Sequence, residues 1–322
     1  MENKIRVSIK RKIDTRSFNS IADAIVHNGN HRRWLYNKGI SFLDKNMKRI
    51  SSVYNGDTSL LEAYLKNVES RDLNKDTYIP GIYRGVCSDI EHMIKTAMSR
   101  RDNPNVPPTI YFKSYDPYKL IVKTDIESQS KFEVSSDKVI NLTPTEKIGN
   151  YTIALSEQFY YHKDDDGYMH DRKRKYRWRT EDMKTLMLKK DLDNYYIVVG
   201  TDVEFAKVSN SSNIRLVLNL DDSVTLCYAD GRCIEEFMMP DELKSTLLNL
   251  EKLRESIRSS IVCKSDEKDA TYQRILFNYR SVSNKIVNIR KQWVFDIGNM
   301  LFPTYGFIDI DSSIANMSER FI

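Results

Sequence analysis

The chain has 322 residues, 40% of them hydrophobic, with 50 basic against 45 acidic side chains and a formal net charge of +5. That is enough apolar material for one large core or two to three small ones, so it is a folded chain whose local segregation of charge matters more than its total. No stretch is long and apolar enough to cross a membrane, and Met1-Glu2-Asn3-Lys4 does not lead into a signal-peptide core. Cys87, Cys227, Cys233 and Cys263 are scattered without a C-x-x-C pair, which argues against a zinc site or a disulfide framework and for the reducing cytoplasm. The 19 Tyr, 12 Phe and 3 Trp exceed what a core of this size needs, and such rings also stack on unpaired bases.

Residues 4–10 alternate polar and apolar side chains, the pattern of a half-buried strand. From Ile21 to Leu43 apolar residues recur at three- and four-residue steps, as they do through Ser59–Leu65 and Ile82–Met98, which predicts a helical insert. Asn103-Pro-Asn-Val-Pro-Pro108 must end any helix, because successive prolines remove donors and force extended backbone. Short β-branched or aromatic runs follow at Ile110–Phe112, Leu120–Lys123, Lys131–Val134, Val139–Leu142, Tyr151–Leu155 and Tyr195–Val203, at the spacing of a small barrel. The N-terminal strand is expected to close it.

The polar run Ser209–Asn213 is the expected domain boundary. Beyond it, strands at Ile214–Leu220, Ser223–Ala229 and Arg232–Met238 are joined by turns, the second marked by Asp230-Gly231. Three consecutive antiparallel strands open an RNase-H-like fold. Residues Asp241–Leu301 read as two long helices broken by the polar Lys264–Asp269, and Gly306–Asp311 as one further strand.

Arg172, Lys173, Arg174, Lys175, Tyr176, Arg177, Trp178 and Arg179 form a stripe in which cations and rings alternate, with Tyr160, Tyr161 and Tyr168 just upstream. Phosphate backbones attract such a stripe by counterion release, and Tyr176 and Trp178 are candidates for stacking on bases. The plainer alternative is a solvated charged loop. The long helices carry a second basic set: Lys252, Arg254, Arg258, Arg274, Arg280, Lys285, Arg290 and Lys291.

The hairpin Val217–Gly231 resembles the first RuvC motif of TnpB proteins, the transposon-encoded relatives of type V CRISPR effectors, whose Gly-Ile-Asp-Leu-Gly strand is followed by Asp-Gly. In order along the chain, Trp34-Leu-Tyr-Asn37 resembles the family's early aromatic-Asn helix, Phe112-Lys-Ser114 its Phe-Lys-Ser strand, and Leu142–Gly149 its Leu-Pro-Lys-Leu-Gly strand. Asn284–Trp293 resembles its Lys-Ile-x-Asn-x-Arg helix and Ile308–Met317 its second RuvC motif. The resemblance spans almost the whole chain.

The departures bear on chemistry. RuvC-like cleavage needs about three carboxylates to hold two Mg²⁺ ions some 3.5–4 Å apart. In this alignment the first-motif aspartate is Asn219, and the second-motif glutamate falls on Ile310. The zinc ribbon and third aspartate of active relatives have no counterpart before Ile322, so no zinc is expected. Asp221, Asp222, Asp309 and Asp311 lie within two residues of the lost positions, but a one-residue shift on a strand reverses the face and a two-residue shift moves the side chain by about 7 Å.

The resemblance therefore implies an α+β chain: a wedge-like, OB-like β-barrel from residues 1–16 and 105–208, a helical recognition (REC) insertion at 17–104, and a truncated, inactivated RuvC/RNase-H-like α/β domain at 209–322. It implies a guide RNA as obligatory ligand and double-stranded DNA as target, in a monomeric ribonucleoprotein. Without cleavage the expected output is occupancy of the target and repression of transcription, as in the nuclease-dead TnpB-like repressors called TldR proteins. Arg172–Arg179, Lys285 and Arg290 are then the expected contacts to RNA and heteroduplex. Tyr83, Arg84 and Ser88, with Lys113 and Ser114, are expected to touch the flanking DNA motif. Two other readings stay open: a Mg²⁺-dependent nuclease using the displaced aspartates, and an RNA-binding module without DNA targeting.

Overall fold

The computed structural model of the chain describes residues 4–14, 19–44, 46–99, 109–171, 176–205, 213–219, 222–228, 231–262, 270–301 and 307–310. It divides into two compact units, Met1–Phe205 and Ala206–Ile322.

In the first unit, β1 (Lys4–Lys12) is followed by four helices: α1 (Asn19–Leu43), α2 (Met47–Tyr54), α3 (Ser59–Ser70) and α4 (Ile82–Ser99). Ile21, Ile25, Leu35, Ile40 and Leu43 of α1 are buried, as the three- and four-residue spacing requires, and they share a core with Ile90 and Ile94 of α4. The short α2 is an element the periodicity did not predict. Its N-terminus is capped by Asn46, whose side chain accepts from Arg49 N.

Strands follow: β2 (Lys119–Asp125), β3 (Lys131–Ser136), β4 (Val139–Thr143), β5 (Tyr151–Ala154), β6 (His162–Lys163), β7 (Met169–His170), β8 (Tyr176–Trp178), β9 (Met183–Asp191) and β10 (Asn194–Phe205). β1 pairs with β10 from Lys4↔Glu204 to Lys12↔Tyr196, so the helices are inserted into a sheet that returns to the chain's start. The seven-stranded sheet runs β2-β9-β10-β8-β7-β6 with β1 alongside β10, and β3-β4-β5 form a separate sheet. The two are linked by an Ile13–Leu155 bridge. The structure thus contains antiparallel sheets with helices, but its pairings among the described residues do not close a barrel: β2 and β3, joined by a single helical turn at Ile126–Ser128, belong to different sheets.

Two strand readings change. Residues 109–116 carry no regular strand; the expected strand at Ile110–Phe112 lies in a segment tied to α1 by hydrogen bonds between Asn37 and Lys113. Conversely, Met183–Asp191, for which the sequence pattern predicted no strand, is a nine-residue strand that buries Met183, Leu186 and Leu188.

Glycines let the helices approach the sheet. A Cβ on Gly85 of α4 would sit 2.6 Å from the Lys123 carbonyl oxygen of β2, and one on Gly29 of α1 would sit 2.8 Å from Leu120 Cβ. Both contacts are closer than carbon can come, so only glycine fits without a shift of backbone.

The second unit has β11 (Asn213–Leu218), β12 (Val224–Tyr228), β13 (Cys233–Phe237), α5 (Asp241–Val262), α6 (Ala270–Leu301) and β14 (Phe307–Ile310). Its sheet order is β13-β12-β11-β14, with β14 parallel to β11 in the register Leu216↔Ile310. Ile214, Leu216, Leu218, Val224 and Leu226 are buried with Val294 and Ile297 of α6. Leu247 of α5 packs with Val282 and Ile286 of α6 in a second cluster.

Candidate nucleic-acid interface

The stripe Arg172–Arg179 is only partly a surface. Arg172, Lys173, Arg174 and Lys175 lie outside the described residues. Tyr176–Trp178 form a strand, and the period-two alternation that resembled a stacking groove is the alternation of that strand. Tyr176 and Trp178 point inward, 4% and 0% exposed, and Trp178 packs edge-on against Phe159. They are core residues, so the expectation that they stack on bases is corrected: a ring without exposed faces cannot receive a base. Arg177 and Arg179 point outward and both lie against the ring of Tyr168, each 4.0 Å from its centroid. Arg177 also pairs with Glu204 at 3.1 Å.

The flanking-motif set is brought together more closely than its spacing in sequence suggests. Arg84 and Ser88, four residues apart on α4, share its exposed face, while Tyr83 is half-buried against the core. Lys123 Nζ donates to Ser88 Oγ at 3.4 Å. Arg84 reaches Asp125 at 3.5 Å and Ser128 Oγ at 3.4 Å. Tyr83 and Arg84 border a cleft of 720 Å³ that Lys66, Lys75 and Lys147 also line.

Lys113 joins this cluster from the far side of the proline-rich break. Its ammonium lies 3.2 Å from Asp89 and 4.0 Å from the Tyr36 ring centroid. Asp89 is also held by Arg32. Burial pushes the Asp89 carboxyl up, but the charges and hydrogen bonds of Arg32 and Lys113 outweigh it and leave the group below the usual carboxylate range. Burial, with the Asp89 charge, pushes the Tyr36 phenol up to about 12. Ser114 is exposed next to Lys113.

Exposed rings that sequence reasoning did not assign to the site sit on this part of the first unit. Tyr111 and Phe112 are 67% and 56% exposed. Trp34 is half-exposed at the end of a column of rings: it stacks on His31, which stacks on Tyr78 at 3.5 Å, which stacks on His27. Lys38 lies over the Trp34 face. Their signal was present as Trp34-Leu-Tyr-Asn37 and Phe112-Lys-Ser114, but exposure is not written in a motif.

In the second unit, Asn219 follows β11 at the turn into β12. Its Nδ2 donates to Ser223 Oγ at 2.8 Å and Thr225 Oγ1 at 2.7 Å, and faces Glu236 Oε1 at 3.3 Å. Because a carboxylate only accepts, Glu236 fixes which end of the amide points inward. Ser223 also donates to Glu236 at 2.7 Å. Asp222 adopts a left-handed φ of 64°, with its N donating to Asn219 O at 3.2 Å, and its carboxylate takes both Nε and Nη2 of Arg290. Arg290 Nη2 also donates to Glu251 at 2.8 Å. Burial works against the Arg290 charge, but Asp222 and Glu251 more than offset it and hold the guanidinium above its ordinary value.

Arg290 is therefore committed to its own fold rather than presented to a ligand, whereas Lys285 of the same helix is exposed. Asp221, Asp311 and the side chains of Asp309 and Ile310 lie outside the described residues. Among the described residues no cluster of three His, Cys, Asp or Glu side chains could hold a metal ion. Among the described residues no helix is long and apolar enough to cross a membrane.

No family model and no curated protein matches the chain. Among solved structures it is similar to a chain of the cryo-EM structure of the Cas12f1-sgRNA-target DNA complex, at 11% identity and a TM-score of 0.33 over 95% of this chain and 73% of that one. It is also similar to a chain of the cryo-EM structure of the CRISPR-Cas12f ternary complex, at 9% identity and a TM-score of 0.35 over 91% of this chain and 63% of that one.

Proposed function

We propose that the chain binds a guide RNA and, through it, complementary double-stranded DNA beside a short flanking motif, and that it occupies the target without cutting it, repressing transcription. The observation that carries this reading is the state of position 219. In the resemblance to TnpB proteins this position belongs to a metal-binding aspartate. Here it is an amide whose nitrogen is spent on Ser223, Thr225 and Glu236.

The nearest described aspartate, Asp222, is neutralised by Arg290. Two Mg²⁺ ions need about three convergent carboxylates, and these residues do not fit them. The order β13-β12-β11-β14, with the last strand parallel to β11, supports an RNase-H-like reading of this unit.

On the first unit, Trp34, Tyr111 and Phe112 offer ring faces near Lys38 and Lys113, the combination that stacks unpaired bases and neutralises phosphates. Arg84 and Ser88 present a polar helix face of the kind that contacts duplex DNA.

The test is to purify the full chain, sequence the RNA that accompanies it, and measure binding and cleavage of matched and mismatched duplexes with Mg²⁺. A guide-length variable segment, binding only to the matched duplex and intact DNA are expected. RNA-independent binding would overturn guidance, and Mg²⁺-dependent cuts at the matched site would overturn the absence of cleavage.

A further inference from the structure

Four cysteines scattered through the sequence give no spacing signal, but the fold places two of them opposite each other. Cys227 of β12 and Cys233 of β13 are direct partners across the antiparallel ladder, at the point where its register shifts. The connecting turn fixes which kind of pair they make. Tyr228 N donates to Arg232 O at 3.0 Å, and Gly231, at a φ of 85°, donates its N–H to Tyr228 O at 2.9 Å. Tyr228 and Arg232 are thus bonded through their backbones, and the next pair, Cys227 and Cys233, falls in the non-hydrogen-bonded position of the ladder. There the Cα atoms of opposed residues stand about 4.5 Å apart. A disulfide spans Cα separations of about 4.4–6.8 Å.

Both thiols are free, and they lie on the side of the sheet away from the buried Val224 and Leu226. Cys233 is exposed and Cys227 half-buried. Cys87 differs: burial pushes its thiol up to about 12, so it carries almost no thiolate. Cys263 lies outside the described residues.

We infer that Cys227 and Cys233 are a reversible dithiol–disulfide couple, oxidised by a low-molecular-weight disulfide such as glutathione disulfide. The Cys233 thiolate attacks one sulfur of glutathione disulfide and expels one glutathione thiolate. The Cys227 thiolate then attacks the Cys233 sulfur of the mixed disulfide and expels the second. Two cysteine thiols become one disulfide, one glutathione disulfide becomes two glutathione thiols, and the two protons released by the cysteines end on them. Burial and the neighbouring sulfur raise the Cys227 thiol, which leaves it little thiolate for attack on an external disulfide; its step is the intramolecular one because it stands opposite Cys233. The product staples β12 to β13 beside Thr225 and Glu236, the two partners that hold Asn219.

The test incubates the full chain with glutathione disulfide, blocks remaining thiols with iodoacetamide and maps disulfide-linked peptides by mass spectrometry, natively and in denaturant. A Cys227–Cys233 link that dominates natively, loses its dominance in denaturant and is cleaved by dithiothreitol is expected, as is a persistent glutathione adduct on Cys233 in Cys227→Ser. A lasting adduct on Cys233 of the unaltered chain, a bridge from either cysteine to Cys87 or Cys263, or full alkylation of both would overturn it.

Discussion

Asn37 and Lys113, 76 residues apart, are joined by two hydrogen bonds: Asn37 Nδ2 donates to Lys113 O at 2.9 Å, and Lys113 N donates to Asn37 Oδ1 at 2.8 Å. The side-chain amide thus satisfies both backbone groups of a segment that has no strand partner. Asn37→Ala should release residues 109–116 while leaving the core intact. The expected cost is about 1 kcal/mol of stability, because the pair is exposed to water. Hydrogen exchange should show the Lys113 amide losing protection; unchanged protection would contradict the role given to Asn37.

Two tryptophans should separate fold from binding. Trp178 is fully buried, so Trp178→Ala should cost about 3–5 kcal/mol and lower the urea midpoint sharply. Trp34, 36% exposed, should tolerate Ala with a much smaller loss, while affinity for single-stranded RNA falls by about 1–3 kcal/mol if a base stacks on it. Equal RNA affinity of Trp34→Ala and the parent would remove Trp34 from the interface.

Placing a carboxylate at position 219 is not expected to produce cleavage. Asn219→Asp replaces a donor to Ser223 and Thr225 by a group that can only accept, and sets it against Glu236. Asp222 remains bound to Arg290. The variant should melt several degrees lower at neutral pH and leave plasmid DNA intact with Mg²⁺. Cleavage by this single substitution would show that the site is closer to a metal centre than its hydrogen bonds imply.

Asp89 makes stability pH-dependent. Its folded value lies below the unfolded one of about 3.9, because Arg32 and Lys113 favour the charged form. The unfolded chain therefore binds the proton more readily, so the contribution is present above pH ~4 and is lost as pH falls through the folded value. Asp89→Asn should cost about 1–2 kcal/mol at pH 7, and urea titrations of variant and parent should converge in acid. A gap that persists at low pH would mean that packing rather than charge is responsible.

At Gly85 the obstacle to a side chain is the Lys123 carbonyl, which belongs to a paired strand and cannot swing aside as a side chain would. Gly85→Ala should gain helix propensity yet lose about 1–3 kcal/mol from displacing α4 against β2. An unchanged melting temperature would show that the helix moves without penalty.

The sequence by itself determined the local elements and the neutral side chain at position 219. Three- and four-residue apolar spacing placed α1, α3 and α4, the Asp230-Gly231 turn placed the hairpin of β12 and β13, and Asn219 is neutral wherever it folds. These are properties of neighbouring residues, governed by helix and strand periodicity and by turn chemistry. The face on which a side chain lands was less legible. Tyr176 and Trp178 read as a stacking pair, but an alternation of rings and cations is also what a half-buried strand looks like, and burial of the rings against Phe159 decided between them. Only the tertiary structure brought Lys113 to Asp89, Asn37 to the backbone of residue 113, and Cys227 opposite Cys233. Each of these depends on where a distant part of the chain packs, or on which residues a register pairs, and local spacing carries no record of either.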